Sequence, residues 1–410
     1  MRYRYKLPQL NTLGYIIFFF AMIENRFTVY QPILVTVYLL RIAIALKGYY
    51  LGVRNIKVSG PARSIWLKLL LIQLAYSLVI VLSGVMNHNI TVGICYSIFI
   101  WIGITQYIVN CSIANQAFLK TLDVMFQCII VITLILTVLI PDLMITYSYD
   151  GSRIVEGFFG GKNALPLYLL TGLCLNLILG EGQKKYIWRH LFYPLICLLL
   201  LVVSGSGTGS VAAMIFLILY YTKLYTFLNT NNIFITHTIV TFSIVVYRLH
   251  ERYLYFLITN VLHRDITLTY RTEIWTIAIK GFLHNWLLGY GLGNRIVAEN
   301  LVLPSWYQLV INEAHNGFLD IALGLGIMGL IPFLLLLIRI TRAYDKSQHH
   351  RTAQIMKLYL FVYFIIAIAE NAFTLSRLTF WSMLFIGLVL TQAGEIKGDL
   401  KEEREGEPSV

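Results

Sequence analysis

The chain has 410 residues, 58% hydrophobic and 13% charged, with a mean hydropathy of +0.71; soluble globular proteins carry about 25% charged residues. That balance excludes a soluble globular protein and points to an all-α, polytopic integral membrane protein. The net charge of +12 does not indicate nucleic-acid binding, because the basic residues share neither one face nor one motif and sit mostly in alternate loops.

Apolar runs long enough to cross a bilayer, roughly 17–25 residues each, recur along the chain. They predict about twelve spans, near residues 9–23, 27–46, 65–86, 90–110, 122–141, 163–180, 186–203, 208–228, 232–247, 316–338, 358–373 and 378–394. The opening MRYRYK has the basic character of a signal-peptide flank, but no small-residue cleavage site follows it, so the first apolar stretch reads as a span. Lys and Arg concentrate in the N-terminus and the loops 47–64, 181–190 and 339–357, which assigns that side to the cytoplasm. The expected organisation is a single polytopic membrane domain over 1–394, with a large extracytoplasmic loop at about 248–315, and a short charged cytoplasmic tail over 395–410. Cys95, Cys111, Cys128, Cys174 and Cys197 lie in or beside apolar segments with no CxxC spacing, and read as small buried hydrophobes.

Two outward connections stand out. The first, about 142–162, contains ITYSYDGSRIVEGFFGGKN; the second, about 248–315, is the longest break in the hydrophobicity, and long ordered loops are usually functional. Within it, YRTEIWTIAIKGFLHNW places Ile274, Trp275, Ala278 and Phe282 at near-helical spacing. This predicts an amphipathic helix at the membrane surface, followed by the turn GYGLGN. The GxGxG in that turn is weak as a phosphate loop, since no strand precedes it and no Lys-Ser/Thr follows.

Four polar groups face this side. Arg153, Lys162 and Asn163 come from the first connection, and Arg264, Arg271, Lys280 and Arg295 from the second. Glu313, His315 and Asn316 stand at the start of the next span, and Ser204, Ser206, Thr208 and Ser210 form the turn SGSGTGS. Together they describe an outward cavity with excess positive charge. Guanidinium groups bind phosphate oxygens in pairs and stay charged, and a histidine beside them accepts a proton near neutrality. Plainer alternatives stand beside each. Loop arginines also contact lipid head groups, the glycines of GLGIMG let helices pack closely, and SGSGTGS breaks two spans. Glu313 either orients the His315 ring or is a first-turn carboxylate favoured by the helix dipole.

The stretches YRTEIWTIAIKGFLHNWLLGYGLGN and EAHNGFLDIALGLGIMG resemble the C-terminal signature of the bacterial O-antigen ligase and polymerase family. The matching residues are Arg271 four positions before Trp275, WLLGYG at 286–291, and His315-Asn316 followed by Gly326. GFFGGKNALPLY at 157–168 and SGSGTGS at 204–210 are similar to the family's earlier loop and serine-rich turn. The resemblance spans roughly residues 150–340; the first four spans carry no matching motif, and Trp286 stands where many members have proline.

This resemblance implies a glycosyltransferase of the bacterial cytoplasmic (inner) membrane, without metal or cofactor, acting at the periplasmic face on glycans linked to undecaprenyl diphosphate. The wording around His315 is closer to the Wzy-type polymerases of O antigen, capsule or exopolysaccharide, which join lipid-linked repeat units. The ligase branch instead transfers the glycan to lipid A core. Implied partners are lipid-linked donor and acceptor glycans, membrane lipid, a chain-length regulator and a flippase, with no nucleic acid.

Fixed cations that meet the charge building on the leaving diphosphate would lower the barrier. Arg271 is the first candidate, with Arg153, Lys162, Asn163, Arg264, Arg295 and Asn316 as supporting diphosphate or sugar contacts. His315 would accept the proton of the attacking hydroxyl in a single inverting displacement, with Glu313 as its candidate partner. The outer loops hold none of the usual acidic metal-binding pairs. A flippase for lipid-linked oligosaccharides is the rival from another class. It predicts internal repeats and midplane charges; no convincing repeat is found, and the clearest deep charge, Arg41, can also be read as snorkelling to the nearby cytoplasmic face.

Overall fold

A computed structural model describes residues 12–23, 30–56, 61–88, 90, 92–114, 116–147, 153–159, 163–180, 187–261, 265–268, 270–292, 296–297, 310–311, 313–375 and 377–405. The principal helices are α1 (Thr12–Met22), α2 (Gln31–Ile56), α3 (Pro61–Met86), α4 (Val92–Ala114), α5 (Gln116–Leu139), α6 (Leu165–Leu179), α7 (Tyr193–Val203), α8 (Gly207–Tyr221), α9 (Thr230–Thr241), α10 (Arg271–His284), α11 (Gly317–Asp345), α12 (His350–Ala369) and α13 (Leu378–Glu405). Two small antiparallel pairs join them: β1 (Ile145–Tyr147) with β2 (Arg153–Val155), and β3 (Ile296–Val297) with β4 (Val310–Ile311).

The architecture is that of an all-α polytopic membrane protein. Among the described residues six helices, α2, α3, α4, α5, α11 and α12, are long and apolar enough to cross a membrane. Each remaining apolar run of the sequence also falls on a helix, but a shorter one, such as Thr12–Met22 or Tyr193–Val203. Eleven residues in a helix rise only about 16 Å, roughly half the hydrocarbon thickness.

Small residues allow the tightest crossing. A Cβ on Gly48 of α2 would lie 1.9 Å from the Gly103 carbonyl oxygen of α4, so the two backbones touch. Arg41, buried on α2, donates from Nε to the Ala21 carbonyl at 2.8 Å, joining α2 to the last turn of α1. Cys111, Cys174 and Cys197 are buried as expected, whereas Cys95 and Cys128 stand exposed.

Helix α11 is broken near its start. Gly326 takes φ 60° and ψ −163°, a region essentially confined to glycine. The chain folds back there: the Phe318 and Phe333 rings are 5.9 Å apart, although fifteen residues of unbroken helix would separate them by roughly 22 Å.

A break at this depth frees backbone groups that must find partners, and the turn after α10 supplies them. Ile327 N–H donates to the Trp286 carbonyl (2.8 Å) and Met328 N–H to Leu287 (3.1 Å), while Tyr290 N–H donates to Leu323 (2.9 Å) and Gly291 N–H to Gly324 (2.8 Å). From α3, Ser83 Oγ donates to the Leu288 and Gly324 carbonyls, and Asn87 Nδ2 to the Gly289 carbonyl at 2.8 Å.

Candidate functional site

The segment before α11 forms a short lip of Glu313, Ala314, His315 and Asn316. Asn316 is the N-cap: its Oδ1 accepts the Leu319 N–H at 2.9 Å, and its Nδ2 donates to the Ile368 carbonyl of α12 at 2.9 Å. Such a cap stabilises a helix by about 1 kcal/mol, and the second bond ties the lip to α12. Asp320 reaches back from the first turn of α11, its Oδ1 accepting the Ala314 N–H at 2.5 Å. Between these anchors His315 holds φ 48°, a left-handed conformation uncommon for a residue with a side chain.

Helix α10 brings the arginine. Of the residues read at helical spacing, Ile274, Trp275 and Ala278 are buried and Phe282 is half-buried. The face they form packs on protein, Trp275 against Val245 and Ile368 and Ala278 against Ala314 and Leu323. Arg248 holds the start of α10, donating from Nη2 to the Thr272 carbonyl (2.9 Å) and Thr276 Oγ1 (2.6 Å). Because Trp275 lies on Ile368, Arg271 one turn earlier meets Glu370 just beyond it. Arg271 Nη2 and Glu370 Oε1 form an ion pair at 2.5 Å, with side chains 17% and 6% exposed.

The electrostatics are those of a desolvated charged cluster. Burial first, and then the Arg271 charge, push the His315 imidazole down from 6.5 to about 4, so it is neutral at ordinary pH. Burial raises the Glu370 carboxyl above its ordinary value, while Arg271 and Arg377 pull it back and Glu313 adds to the rise. The site therefore sets a neutral imidazole near a guanidinium that is paired with the buried Glu370.

The structure thus brings Arg271, Glu313, His315 and Asn316 into one neighbourhood. Glu313 is exposed, and no described residue gives the His315 ring a hydrogen bond. Arg153 is exposed on β2, paired with Tyr147, and lies by the serine-rich turn: a Cβ on Gly205 would be 2.9 Å from the Arg153 carbonyl oxygen. In that turn Ser206 caps α8 by accepting the Gly209 N–H at 3.1 Å, and Ser204 Oγ donates to the Leu201 carbonyl. These are the bonds of a helix break. Asn163 is half-buried just before α6, and Lys280 is exposed on α10. Lys162, Arg264 and Arg295 lie outside the described residues.

Sequence reasoning missed Glu370, Asp320 and Arg377. Glu370 falls inside the apolar run 358–373, and an acidic residue within a predicted span is itself a functional signal.

Residues 192–334 match the family model described as O-antigen ligase. The match covers α7 to α10, the lip and the break in α11, and makes this part of the chain similar to that family. It leaves Glu370 and Arg377 outside. No curated protein matches the chain.

Proposed function

We propose, with the O-antigen ligase/polymerase family as premise, that this membrane protein is a polysaccharide polymerase. It joins undecaprenyl-diphosphate-linked oligosaccharide repeat units at the outer face of the cytoplasmic membrane. The observation that carries this reading is the placement of Arg271 beside a desolvated His315, on a helix and a lip packed together through Ala278 and Ala314.

The chemistry is a single displacement. An acceptor hydroxyl oxygen attacks the anomeric carbon as the bond from that carbon to the phosphate oxygen breaks, and the hydroxyl proton passes to a ring nitrogen of His315. The departing lipid diphosphate carries the bonding pair, and Arg271 meets that growing charge from a site where low dielectric strengthens the attraction. Glu370 holds the guanidinium in place beforehand, which limits reorganisation during reaction. Arg153, Lys162, Asn163, Arg264, Arg295 and Asn316 are the proposed diphosphate or sugar contacts, and Glu313 the proposed partner of His315.

A second reading has its own support: the matching family model is described as O-antigen ligase, which would transfer the finished glycan to lipid A core. Deletion of the gene separates the two. A polymerase deletion leaves single repeat units, a ligase deletion accumulates long chains on the carrier lipid, and unchanged surface glycan refutes both. At the site, His315→Ala should lower transfer by about 10²–10⁴-fold at unchanged protein level in the membrane, and Arg271→Ala by about 10²–10³-fold per folded molecule.

A further inference from the structure

We propose that Asp320 is the positioning residue of His315: its hydrogen bond to the Ala314 backbone holds the lip in the left-handed turn that presents the imidazole. The inference rests on the glycosyl-transfer reading above. Asp320 itself touches no substrate.

His315 sits at φ 48°, a conformation that side-chain-bearing residues avoid unless their surroundings impose it. Two anchors bracket it. On the C-terminal side Asn316 caps α11 and bonds to Ile368. On the N-terminal side Asp320 Oδ1 takes the Ala314 N–H at 2.5 Å. Ala314 is fully buried against Ala278 and Leu323, so its N–H has no water to turn to if that acceptor is lost. The backbone N–H of Asn316 interacts with the same carboxylate, so Asp320 spans the residue on both sides.

The backbone anchors matter because the ring has no hydrogen bond of its own to a described residue. No described residue hydrogen-bonds the His315 imidazole, and Glu313 is exposed. The ring is therefore aimed by its own backbone and by burial. Asp320 suits the task by length: from the first turn of α11, a side chain of this size reaches back over the helix start to residue 314. Its second oxygen, Oδ2, is buried without a hydrogen-bond partner among the described residues. One acceptor oxygen does the holding, and an amide supplies that as well as a carboxylate.

The test uses full-length protein in lipid nanodiscs, with the lipid-linked oligosaccharide extracted from a strain deleted for this gene as probe. Misplacing a catalytic group by about 1 Å costs about 100-fold, so Asp320→Ala should lower kcat by about that factor. KM should stay within about twofold, as expected when ground-state binding is untouched. Asp320→Asn, which keeps the acceptor, should restore most of kcat. Wild-type kcat in Asp320→Ala overturns the proposal, as does Asp320→Asn as poor as alanine, because the charge rather than the anchor would then matter.

If the alanine variant does not accumulate, Asp320→Glu replaces it. Its longer reach should displace the lip and lower kcat below that of Asp320→Asn; equal rates overturn the proposal. A second measurement needs no substrate: carbethoxylation of His315 by diethyl pyrocarbonate, read on its own peptide. The rate should rise in Asp320→Ala and stay at the wild-type value in Asp320→Asn; equal rates in all three overturn the anchor. Absence of transfer by the wild-type protein would instead sink the glycosyl-transfer reading, with the labelling rates still deciding the role of Asp320.

Discussion

Gly326 and Leu287 meet where no side chain fits: a Cβ on Gly326 would stand 2.3 Å from the Leu287 carbonyl carbon, and Gly326 already holds φ 60°. The break in α11 and the turn after α10 are therefore one interlocked unit. Gly289 makes the reciprocal approach, its φ 64° placing a Cβ 2.5 Å from the Leu323 carbonyl oxygen.

Gly326→Ala should consequently be among the most damaging single substitutions outside the charged cluster. The backbone conformation alone costs about 1–3 kcal/mol for a residue with a Cβ, and displacement of the turn adds about 1–3 kcal/mol. Thermal unfolding of the detergent-purified protein should show a large loss. An unchanged Tm would mean that the interlock is not a stability element.

Ser83 ties α3 to that unit, its Oγ donating to the Leu288 carbonyl at 2.5 Å and the Gly324 carbonyl at 3.1 Å. Ser83→Ala leaves the Leu288 carbonyl without this donor, at a cost of about 1–3 kcal/mol. The expected result is a moderate drop in unfolding midpoint, with transfer retained at temperatures where the protein stays folded.

The Arg271–Glu370 pair separates stability from chemistry. Removing one member of a buried pair costs about 3–5 kcal/mol because the other charge is left uncompensated. Arg271→Ala should destabilise the protein as well as stop transfer. Adding Glu370→Gln should recover much of the stability without recovering transfer; recovery of both would show that Arg271 serves only the fold.

The pH dependence follows from His315, which moves from 6.5 to about 4 through burial and the Arg271 charge. A histidine with a depressed folded value binds its proton more readily when unfolded. Stability therefore rises with pH between about 4 and 6.5 from this group, and levels off above that range. On the same ground kcat should remain flat as pH falls through 6.5 and decline only toward about pH 4. An inflection near 6.5 would contradict a desolvated imidazole as the proton acceptor.

Much of this was legible in the residues. Trp275 and Ala278 stand at helical spacing and are buried; Gly326, Gly289 and Gly291 were read as close packing and a turn, and they form the interlock. The SGSGTGS stretch was read either as a polar site element or as a break, and its described hydrogen bonds are those of a break. What local reading could not find is the carboxylate that pairs with Arg271, which lies 99 residues away.

Composition and the length of the apolar runs determined by themselves that the protein is an all-α membrane bundle, because partitioning into lipid depends on each segment's own surface. The order of Arg271, the glycine turn and His315 likewise marked out the segments that the fold brings together around the lip. Only the tertiary structure decided which charges meet there and how α11 folds back. Ion pairs and strained turns depend on distances between elements, and the packing of Trp275 on Ile368 and of Leu287 on Gly326 sets those distances, leaving no periodic trace along the chain.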